Sequence, residues 1–555
     1  MISSPVMSKS MKAAELFVKC LETEGVKYIF GVPGEENLDF LEAVRTSSIK
    51  FIVTRHEQAA VFMAATMGRL TGKAGVALST LGPGATNLVT GVAYAQLGAM
   101  PLLVITGQKP IRKSKQGKFQ IIDVVGMMRP ITKFTASITN ADQVPGLVRE
   151  AFKIAQSERP GAVHLELPED IAAEETSGTP IPPEARKQVN PEPKAIEQAA
   201  AMINQAKHPI VLIAAGGNRK LVRRSLKAFL DKTKIPFVST QMGKGLENEA
   251  SELYLGTTAL SDNDYVHCAL NYADVIIAVG HDTVEKPPVI MTRERHQVIH
   301  LHFSPSVKDE VYEPTLEVVG DISDSLSGIT ERIEPSNWDF LYFGRLRTHM
   351  QKELQEKSDS DFFPIKPQRI VSDLRAALPS TAILSLDNGM YKLWIARNYP
   401  AYEQNTVLLD NALATMGAGL PAGIAAKMLN PDKKVLVVAG DGGVVMNISE
   451  LETAKRLGLD LVVLILNDSG YGMIKWKQAD MGFANFGLEF ANPDFVKLAE
   501  SFGAVGHRIA AADELKPVLE KALAARGVHL IDCPIDYSEN KIVFGEELKN
   551  KTCNI

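Results

Sequence analysis

Residues 433–477 read KKVLVVAGDGGVVMNISELETAKRLGLDLVVLILNDSGYGMIKWK. Two continuous apolar runs, residues 435–439 and 461–466, flank an amphipathic stretch. Such runs are typical of strands that are buried on both faces and joined by a crossover helix in a parallel sheet. The segment therefore predicts an α/β unit, whose ligands bind beyond the carboxyl ends of the strands.

Both apolar runs end in a turn that carries an aspartate. Residues 440–443 read GDGG, and residues 467–470 read NDSG. The glycines let backbone N–H groups approach an anion at a helix N-terminus, which suits a diphosphate. If the two strands are neighbours, Asp441 and Asp468 emerge at one edge and can share a Mg²⁺ with diphosphate oxygens, a backbone carbonyl and water. Singly, each aspartate is more often a turn or cap residue, but the pair with its glycines favours the metal site.

The same alternation of apolar runs and amphipathic stretches continues along the whole chain. Two segments rich in proline and charge, residues 174–194 and about 334–367, interrupt it as linkers. The sequence thus predicts an α/β fold of three domains, each with a mainly parallel sheet flanked by helices. Their predicted bounds are residues 9–176, 195–335 and 366–545.

Composition excludes several classes of protein. The chain has 555 residues, 45% of them hydrophobic and 23% charged, which argues against intrinsic disorder. A net charge of -5 gives no basic excess for nucleic-acid binding. No stretch is apolar enough for a secretory signal or a membrane span, so we expect a cytoplasmic protein without a membrane partner. The four cysteines form no CxxC pair, so we expect a reducing compartment and neither a disulfide framework nor a zinc site.

The motifs resemble those of thiamine diphosphate enzymes, whose cofactor signature begins with GDG and usually ends in two asparagines. Here the second asparagine position is Asp468, which keeps an oxygen ligand and adds negative charge. The likeness spans nearly the whole chain: FGVPG at 30–34, RHE at 55–57, GPGATN at 82–87, MRPITK at 128–133, RPG at 159–161 and TMG at 415–417. Together these motifs are most similar to those of acetolactate synthases. The resemblance implies two similar cofactor-binding domains around a central one.

Glu57 opens a helix predicted over residues 58–70 that is apolar on nearly all sides. A carboxyl group in such a dry position can share a proton with a ring nitrogen. The resemblance implies that Glu57 protonates the aminopyrimidine of the cofactor. The alternative is an acidic residue in a first helical turn, favoured by the helix dipole.

The resemblance also implies roles for residues in the turns around these strands. The metal ligands would be Asp441, Asp468 and Gly470. Met416 would support the bent cofactor, although an apolar core role is the alternative. Further cofactor contacts would come from Asn87, Tyr391, Gly440, Gly442, Gly443, Tyr471, Gly472 and Met473. Gln120 would lie over the reacting centre and bind substrate oxygen, unless it is an exposed loop residue, and Gly34 would line the acceptor side.

The implied activity decarboxylates one pyruvate and joins the hydroxyethyl unit to a second pyruvate, giving 2-acetolactate and CO₂. Thiamine diphosphate and Mg²⁺ would be the cofactors. FAD is not expected, because residues 279–288 read VGHDTVEKPP, as in the flavin-free catabolic branch, rather than containing RFDD. Glu57 and Asp441 fall in different domains, and in this family they act together across subunits, which implies a homodimer or homotetramer.

Two departures concern the acceptor pyruvate. Glu35 and Glu36 follow Gly34, where catabolic relatives tend to have a lysine, and they would repel a carboxylate unless they point away. Lys477, which follows Trp476, could supply the missing positive charge. The alternatives are another thiamine diphosphate-dependent 2-oxo acid decarboxylase or oxidase and, in a different class, a non-catalytic assembly paralogue.

Overall fold

Apolar runs become strands, and amphipathic stretches become helices, along the whole chain. The computed structural model describes residues 10–112, 117–184, 189–218, 222–258, 264–334, 337–546 and residue 553. The chain divides into two compact units, Met1–Arg186 and Lys187–Ile555. Within the described residues, the first unit contains one six-stranded parallel sheet and the second contains two.

The first unit holds one large sheet and a short antiparallel pair. Its strands are β1 (Met11–Lys12), β2 (Tyr28–Gly31), β3 (Lys50–Val53), β4 (Gly75–Ser79), β5 (Leu102–Gln108), β6 (Phe134–Ser137), β7 (Ala162–Pro168) and β8 (Glu175–Thr176). Its helices are α1 (Ala13–Thr23), α2 (Leu38–Arg45), α3 (Glu57–Thr71), α4 (Pro83–Asn87), α5 (Val89–Leu97), α6 (Val124–Met128), α7 (Val144–Gln156) and α8 (Glu169–Ala172). The strand order is β3-β2-β4-β5-β7-β6, and β1 pairs with β8.

The central sheet belongs to the second unit. Its strands are β9 (Pro209–Ile213), β10 (Phe237–Ser239), β11 (Tyr254–Thr257), β12 (Val275–Val279), β13 (Gln297–His302) and β14 (Leu316–Val319). The helices are α9 (Pro193–Gln205), α10 (Val222–Thr233), α11 (Tyr265–Tyr272), α12 (Ile322–Arg332) and α13 (Leu341–Gln355). The strand order, β11-β10-β9-β12-β13-β14, is that of a doubly wound sheet.

The third sheet also belongs to the second unit. Its strands are β15 (Ile383–Leu386), β16 (Val407–Leu408), β17 (Val435–Gly440), β18 (Leu461–Asn467), β19 (Val505–Arg508) and β20 (Val528–Pro534). The helices are α14 (Pro367–Ala377), α15 (Met390–Asn398), α16 (Gly419–Leu429), α17 (Asp441–Val444), α18 (Glu450–Arg456), α19 (Gly472–Asp480), α20 (Phe495–Ser501) and α21 (Leu515–Ala524). The order β16-β15-β17-β18-β20-β19 repeats, strand for strand, the order of the sheet in the first unit.

The three parallel sheets flanked by helices confirm the predicted fold class. The three domain bounds stay a prediction. Part of the predicted second linker is helical, because α13 lies within it. The helix buries Phe343, Leu346 and Met350 on one face. The charged residues between them make this helical spacing hard to recognise in the sequence.

One disulfide corrects the expectation drawn from the cysteines. Cys268 and Cys553 are bonded, with their Cα atoms 5.4 Å apart and 285 positions apart in sequence, whereas Cys20 and Cys533 are free and buried. Sequence spacing does not reveal this pair, because only the fold brings Cys553 to α11. In the described part of the chain, no helix has both the length and the apolar character needed to cross a bilayer.

His281 follows β12 and is almost fully buried, and neither ring nitrogen has a hydrogen-bond partner among the described residues. Its ring packs edge-on against Tyr312, with the ring centroids 4.9 Å apart. Burial, with the nearby His300, lowers the pKa of His281 to about 4. The folded protein therefore holds this imidazole neutral at pH values where an unfolded chain would protonate it.

We predict that His281→Phe makes stability less sensitive to acid. Between pH 6.5 and pH 4 the unfolded chain binds a proton at His281 and the folded protein does not, so stability falls as the pH falls. From pH 6.5 to pH 5 this residue should lower the free energy of unfolding by about 2 kcal/mol, and the variant should not show this decrease. Urea unfolding at both pH values measures it. His349→Phe, at an exposed histidine, is the control, and equal acid sensitivity in both variants would contradict the prediction.

Candidate active site

Asp441 and Asp468 lie at one edge of the third sheet. Asp441 is the first residue of α17 and Asp468 follows β18, and β17 pairs with β18 in parallel register. Asp441 is 1% exposed, and the Asp468 carboxyl packs against Gly472, where a Cβ would lie 2.7 Å from Oδ2. The structure thus brings together the two aspartates that the sequence pattern pairs.

The electrostatics of this pair are unfavourable in the free protein. Desolvation raises the pKa of Asp441. Desolvation and then the charge of Asp441 raise the pKa of Asp468 to about 7. Lys475 favours the charged form of Asp468, but desolvation and Asp441 oppose it more strongly. A buried and a half-buried carboxylate in this arrangement are suited to hold a divalent cation.

Asn492 orients both turns from outside the predicted motif. Its side-chain amide donates to Asp441 Oδ2 at 2.7 Å and to Asn467 Oδ1 at 3.0 Å. Asn467 in turn donates to Asp532 Oδ1 at 2.9 Å, so its side chain is engaged within the sheet rather than free at the edge. Asn492 lies in an irregular segment without apolar periodicity, and no local signal identifies it.

The glycines beside the aspartates let neighbouring side chains pack directly against this edge. A Cβ at Gly442 would lie 2.8 Å from the Tyr471 ring, and one at Gly440 would lie 3.1 Å from the Tyr391 ring. A Cβ at Gly443 would collide with the Asp387 carboxylate. Aromatic rings and a carboxylate therefore approach the backbone of the GDGG turn directly.

Asp387 is a functional candidate that the sequence interpretation missed. It directly follows β15, is 2% exposed, and accepts hydrogen bonds from the amides of Gly417 and Ala418 at 3.1 and 3.2 Å. Burial raises its pKa to about 6. Asn447 donates to the Gly417 carbonyl at 2.8 Å. These contacts fix the turn that carries the half-buried Met416, and the position after a strand end is the signal that could have found Asp387.

Lys392 is a second missed candidate, on α15 next to Tyr391. Its Nζ donates to the Asp410 carbonyl and to Asn411 Oδ1, both at 3.1 Å. It is 4% exposed, and burial lowers its pKa to about 8. A buried cation thus anchors the segment that leads to Met416.

The remaining predicted residues of the second unit cluster around α19. The Gly470 backbone forms a bridge with Glu489, and the Tyr471 ring packs against Phe490 with centroids 5.0 Å apart. Met473 is half-buried against the core. Lys477 is exposed, with Nζ 4.2 Å from the centre of the Trp476 ring. Its ammonium group therefore makes a cation–π contact with Trp476 at the surface of the helix.

In the first unit, Glu57 and Asn87 are brought together. Glu57 is the first residue of α3 and 8% exposed, and Asn87 donates to its Oε2 at 3.0 Å. Gly84 faces the other carboxylate oxygen, since a Cβ there would lie 3.3 Å from Oε1. The carboxyl group is thus oriented by the GPGATN turn after β4.

Gln120 and Gly34 occupy two further turns of the first unit. Gln120 is exposed with φ 59°, and its carbonyl lies close to Gly82, where a Cβ would come within 2.8 Å. Gly34 packs so tightly on Thr80 that a side chain would collide with it. Glu35 is exposed, whereas Glu36 is buried and paired with Lys109 at 2.6 Å. The charge of Glu36 is therefore compensated inside the protein.

Comparison with family models identifies the architecture. Residues 11–127 match the N-terminal TPP binding domain of thiamine pyrophosphate enzymes, residues 196–329 match their central domain, and residues 387–533 match their C-terminal TPP binding domain. The chain belongs to the thiamine pyrophosphate enzyme family. This confirms the predicted family and supports thiamine diphosphate (thiamine pyrophosphate) as its cofactor.

Curated relatives cover almost the entire chain. It is 34% identical over 554 residues to "Acetolactate synthase" of Bacillus subtilis (strain 168), covering 97% of each chain. It is 33% identical over 545 residues to "Acetolactate synthase, catabolic" of Raoultella terrigena, covering 96% of each. A "Putative thiamine pyrophosphate-containing protein YdaP" of Bacillus subtilis (strain 168) is 31% identical over 545 residues, covering 96% of this chain and 94% of its own. This thiamine pyrophosphate enzyme is therefore similar to acetolactate synthases.

We predict that Asp468→Asn stabilises the metal-free protein. At pH 8 the folded protein must hold Asp468 ionised in a dry site beside Asp441, and the amide removes that cost of roughly 2 to 4 kcal/mol. The folded pKa is raised to about 7, so the gain is full above pH 7 and shrinks as the pH falls toward 4. Thermal unfolding with EDTA at pH 8 and pH 5 measures it. Asp432→Asn, at an exposed carboxylate, is the control, and an equal gain in both variants would contradict the electrostatic origin.

Proposed function

We propose that this thiamine pyrophosphate enzyme is an acetolactate synthase, which converts two pyruvates into 2-acetolactate and CO₂. The observation that carries the proposal is the pair of the buried Asp441 and the half-buried Asp468 beside the GDGG turn, in a chain 34% identical to a relative named acetolactate synthase. A pair of acids with raised pKa values is costly unless a cation uses it. The pair therefore favours a catalytic protein over an assembly paralogue.

Thiamine diphosphate and Mg²⁺ fit the residues at this edge. Asp441, Asp468 and the Gly470 carbonyl offer hard oxygen ligands, and the amides of Gly442 and Gly443 suit the diphosphate. Tyr391, Met416, Gly440, Tyr471, Gly472 and Met473 complete the proposed cofactor contacts. When bound, thiamine diphosphate supplies an electron sink for loss of CO₂ from a 2-oxo acid.

The chain's own residues hold protons and orient groups. Glu57 is placed to exchange a proton with a ring nitrogen at a carboxylate oxygen in a buried position, while Asn87 fixes its orientation. Asp387 and Asn447 fix the turn of Met416, so that this side chain is preorganised. Gln120 is proposed to lie over the reacting centre and bind substrate oxygen, Gly34 to line the acceptor side, and Lys477 to attract the acceptor carboxylate.

Self-association as a homodimer or homotetramer is part of the proposal. Around α19 the second unit exposes large apolar side chains: Ile474 is 50% exposed, Met481 65%, Phe483 60% and Phe486 83%. Such a cluster is typical of a surface that another subunit covers. That FAD is not required, and that the protein is cytoplasmic, stay predictions.

Purified protein incubated with pyruvate is expected to form acetolactate only when thiamine diphosphate and Mg²⁺ are both supplied. The assay measures acetolactate, acetaldehyde and acetate together. Acetaldehyde alone would favour a decarboxylase, and acetate an oxidase. No product with both cofactors present would favour the assembly paralogue.

Glu57→Gln is expected to lower kcat about 10²- to 10⁴-fold, because the amide cannot exchange the proton that the carboxyl group holds. The affinity for thiamine diphosphate should change little, which titration of the cofactor by protein fluorescence measures. Glu15→Gln is the control, since it removes an acid from the first turn of α1 in the same unit. A variant with full activity would remove Glu57 from the mechanism.

A further inference from the structure

Glu36 is a buried carboxylate beside the Gly34 turn. Its Oε1 lies 2.6 Å from Lys109 Nζ, with the two side chains 4% and 3% exposed, and Thr80 donates its hydroxyl to Oε2. Burial opposes ionisation of Glu36, but the hydrogen bonds from Lys109 and Thr80 outweigh it and lower its pKa. Near neutral pH the contact is therefore an ion pair and not a pair of neutral groups.

The three residues come from neighbouring strands. Glu36, Thr80 and Lys109 follow β2, β4 and β5, which lie side by side in the sheet of the first unit. The network therefore sits at the carboxyl edge of that sheet, where ligands of such folds bind. Lys109 is the first residue after β5 and its ammonium points to the turn after β2.

Thr80 links the ion pair to Gly34 and Glu57. A side chain at Gly34 would collide with its Cβ and hydroxyl. A Cβ at Gly84 would lie 3.0 Å from the Thr80 methyl and 3.3 Å from Glu57 Oε1. One threonine thus separates the Glu36 carboxylate from both the acceptor-side turn and the proposed catalytic carboxylate.

Without Lys109, the charged groups around Glu36 would be mainly carboxylates. Glu35 and Glu169 also act on the Lys109 ammonium, although more weakly than Glu36 does. Removing one partner of a buried ion pair leaves an uncompensated charge. Loss of Lys109 would leave the Glu36 carboxylate unpaired beside Gly34, with two further acids nearby.

We propose that Lys109, with Thr80, is a positioning residue that neutralises Glu36 and fixes the Gly34 turn, so that a second, carboxylate-bearing 2-oxo acid can bind as acceptor. This inference rests on the proposed function and extends it to acceptor selection. It explains how this chain accommodates an acidic pair after Gly34. Lys109 acts through Glu36 and need not touch the substrate.

The test is the ratio of acetolactate to acetaldehyde formed by Lys109→Met at subsaturating pyruvate. The unpaired Glu36 should repel the acceptor and lower this ratio about tenfold, while binding of thiamine diphosphate is unchanged. The double variant Lys109→Met with Glu36→Gln removes both charges and should restore most of the ratio. Because the second substitution also relieves a buried unpaired charge, the ratio is measured well below the unfolding temperature of every variant, where a loss of global stability alone leaves it unchanged.

A matched control exists in the second unit. Lys244 and Glu249 form an equally buried ion pair, with a distance of 2.7 Å and both side chains 1% exposed. Lys244→Met should lower the unfolding temperature and leave the product ratio unchanged. The comparison separates the general effect of breaking a buried ion pair from the specific effect of breaking the Glu36–Lys109 pair.

The outcomes test the role of Lys109 separately from the proposed acetolactate synthase activity. Wild-type protein that makes no acetolactate would overturn the proposed function. Wild-type protein that makes it, together with an unchanged ratio in Lys109→Met or no rescue in the double variant, would overturn this inference alone. If Lys109→Met does not fold, Thr80→Val replaces it, with an expected fall in the ratio of about threefold, and an unchanged ratio there is equally contrary.

Discussion

Two acidic side chains that share a dry edge of the third sheet repel each other, and the surrounding structure keeps them there nonetheless. Adjacent strands β17 and β18 fix the spacing between Asp441 and Asp468, and Asn492 holds the first carboxylate while contacting the second turn. The cost is offset by the apolar strands beneath, whose residues are almost completely buried. An edge that is proposed to hold a metal and a diphosphate thus carries this charge repulsion before they bind.

The six-stranded sheet of the first unit and the third sheet share one strand order, but their carboxyl edges carry different functional side chains. One edge holds Glu57 with Asn87 and the compensated Glu36, and the other holds the two aspartates. The central sheet has a doubly wound order, yet the turns after its strands lack a dinucleotide fingerprint. The side chains in the turns after the strands therefore determine the chemistry of each edge, whereas the repeated strand order only positions those turns.

Periodicity was sufficient to locate the strands, because strands buried on both faces form continuous apolar runs. The predicted strands 435–439 and 461–466 correspond to Val435–Gly440 and Leu461–Asn467. Adjacent strands also place Asp441 and Asp468 at one edge, as their spacing suggests. Local sequence could not reveal Lys392, Asn492 or the Glu36–Lys109 pair, since their partners lie on other elements. Asp387 was within reach of the same rule that found Asp441, because it too directly follows a strand.

The bond between Cys268 and Cys553 closes a covalent ring across 285 positions, which includes strands β12, β13 and β14 of the central sheet and the whole third sheet. While it is intact, a single backbone cut inside the ring leaves both pieces attached, so the fragments separate only after reduction. The bond also limits how far residues 268 and 553 can separate in the unfolded chain, which lowers the conformational entropy of the unfolded state.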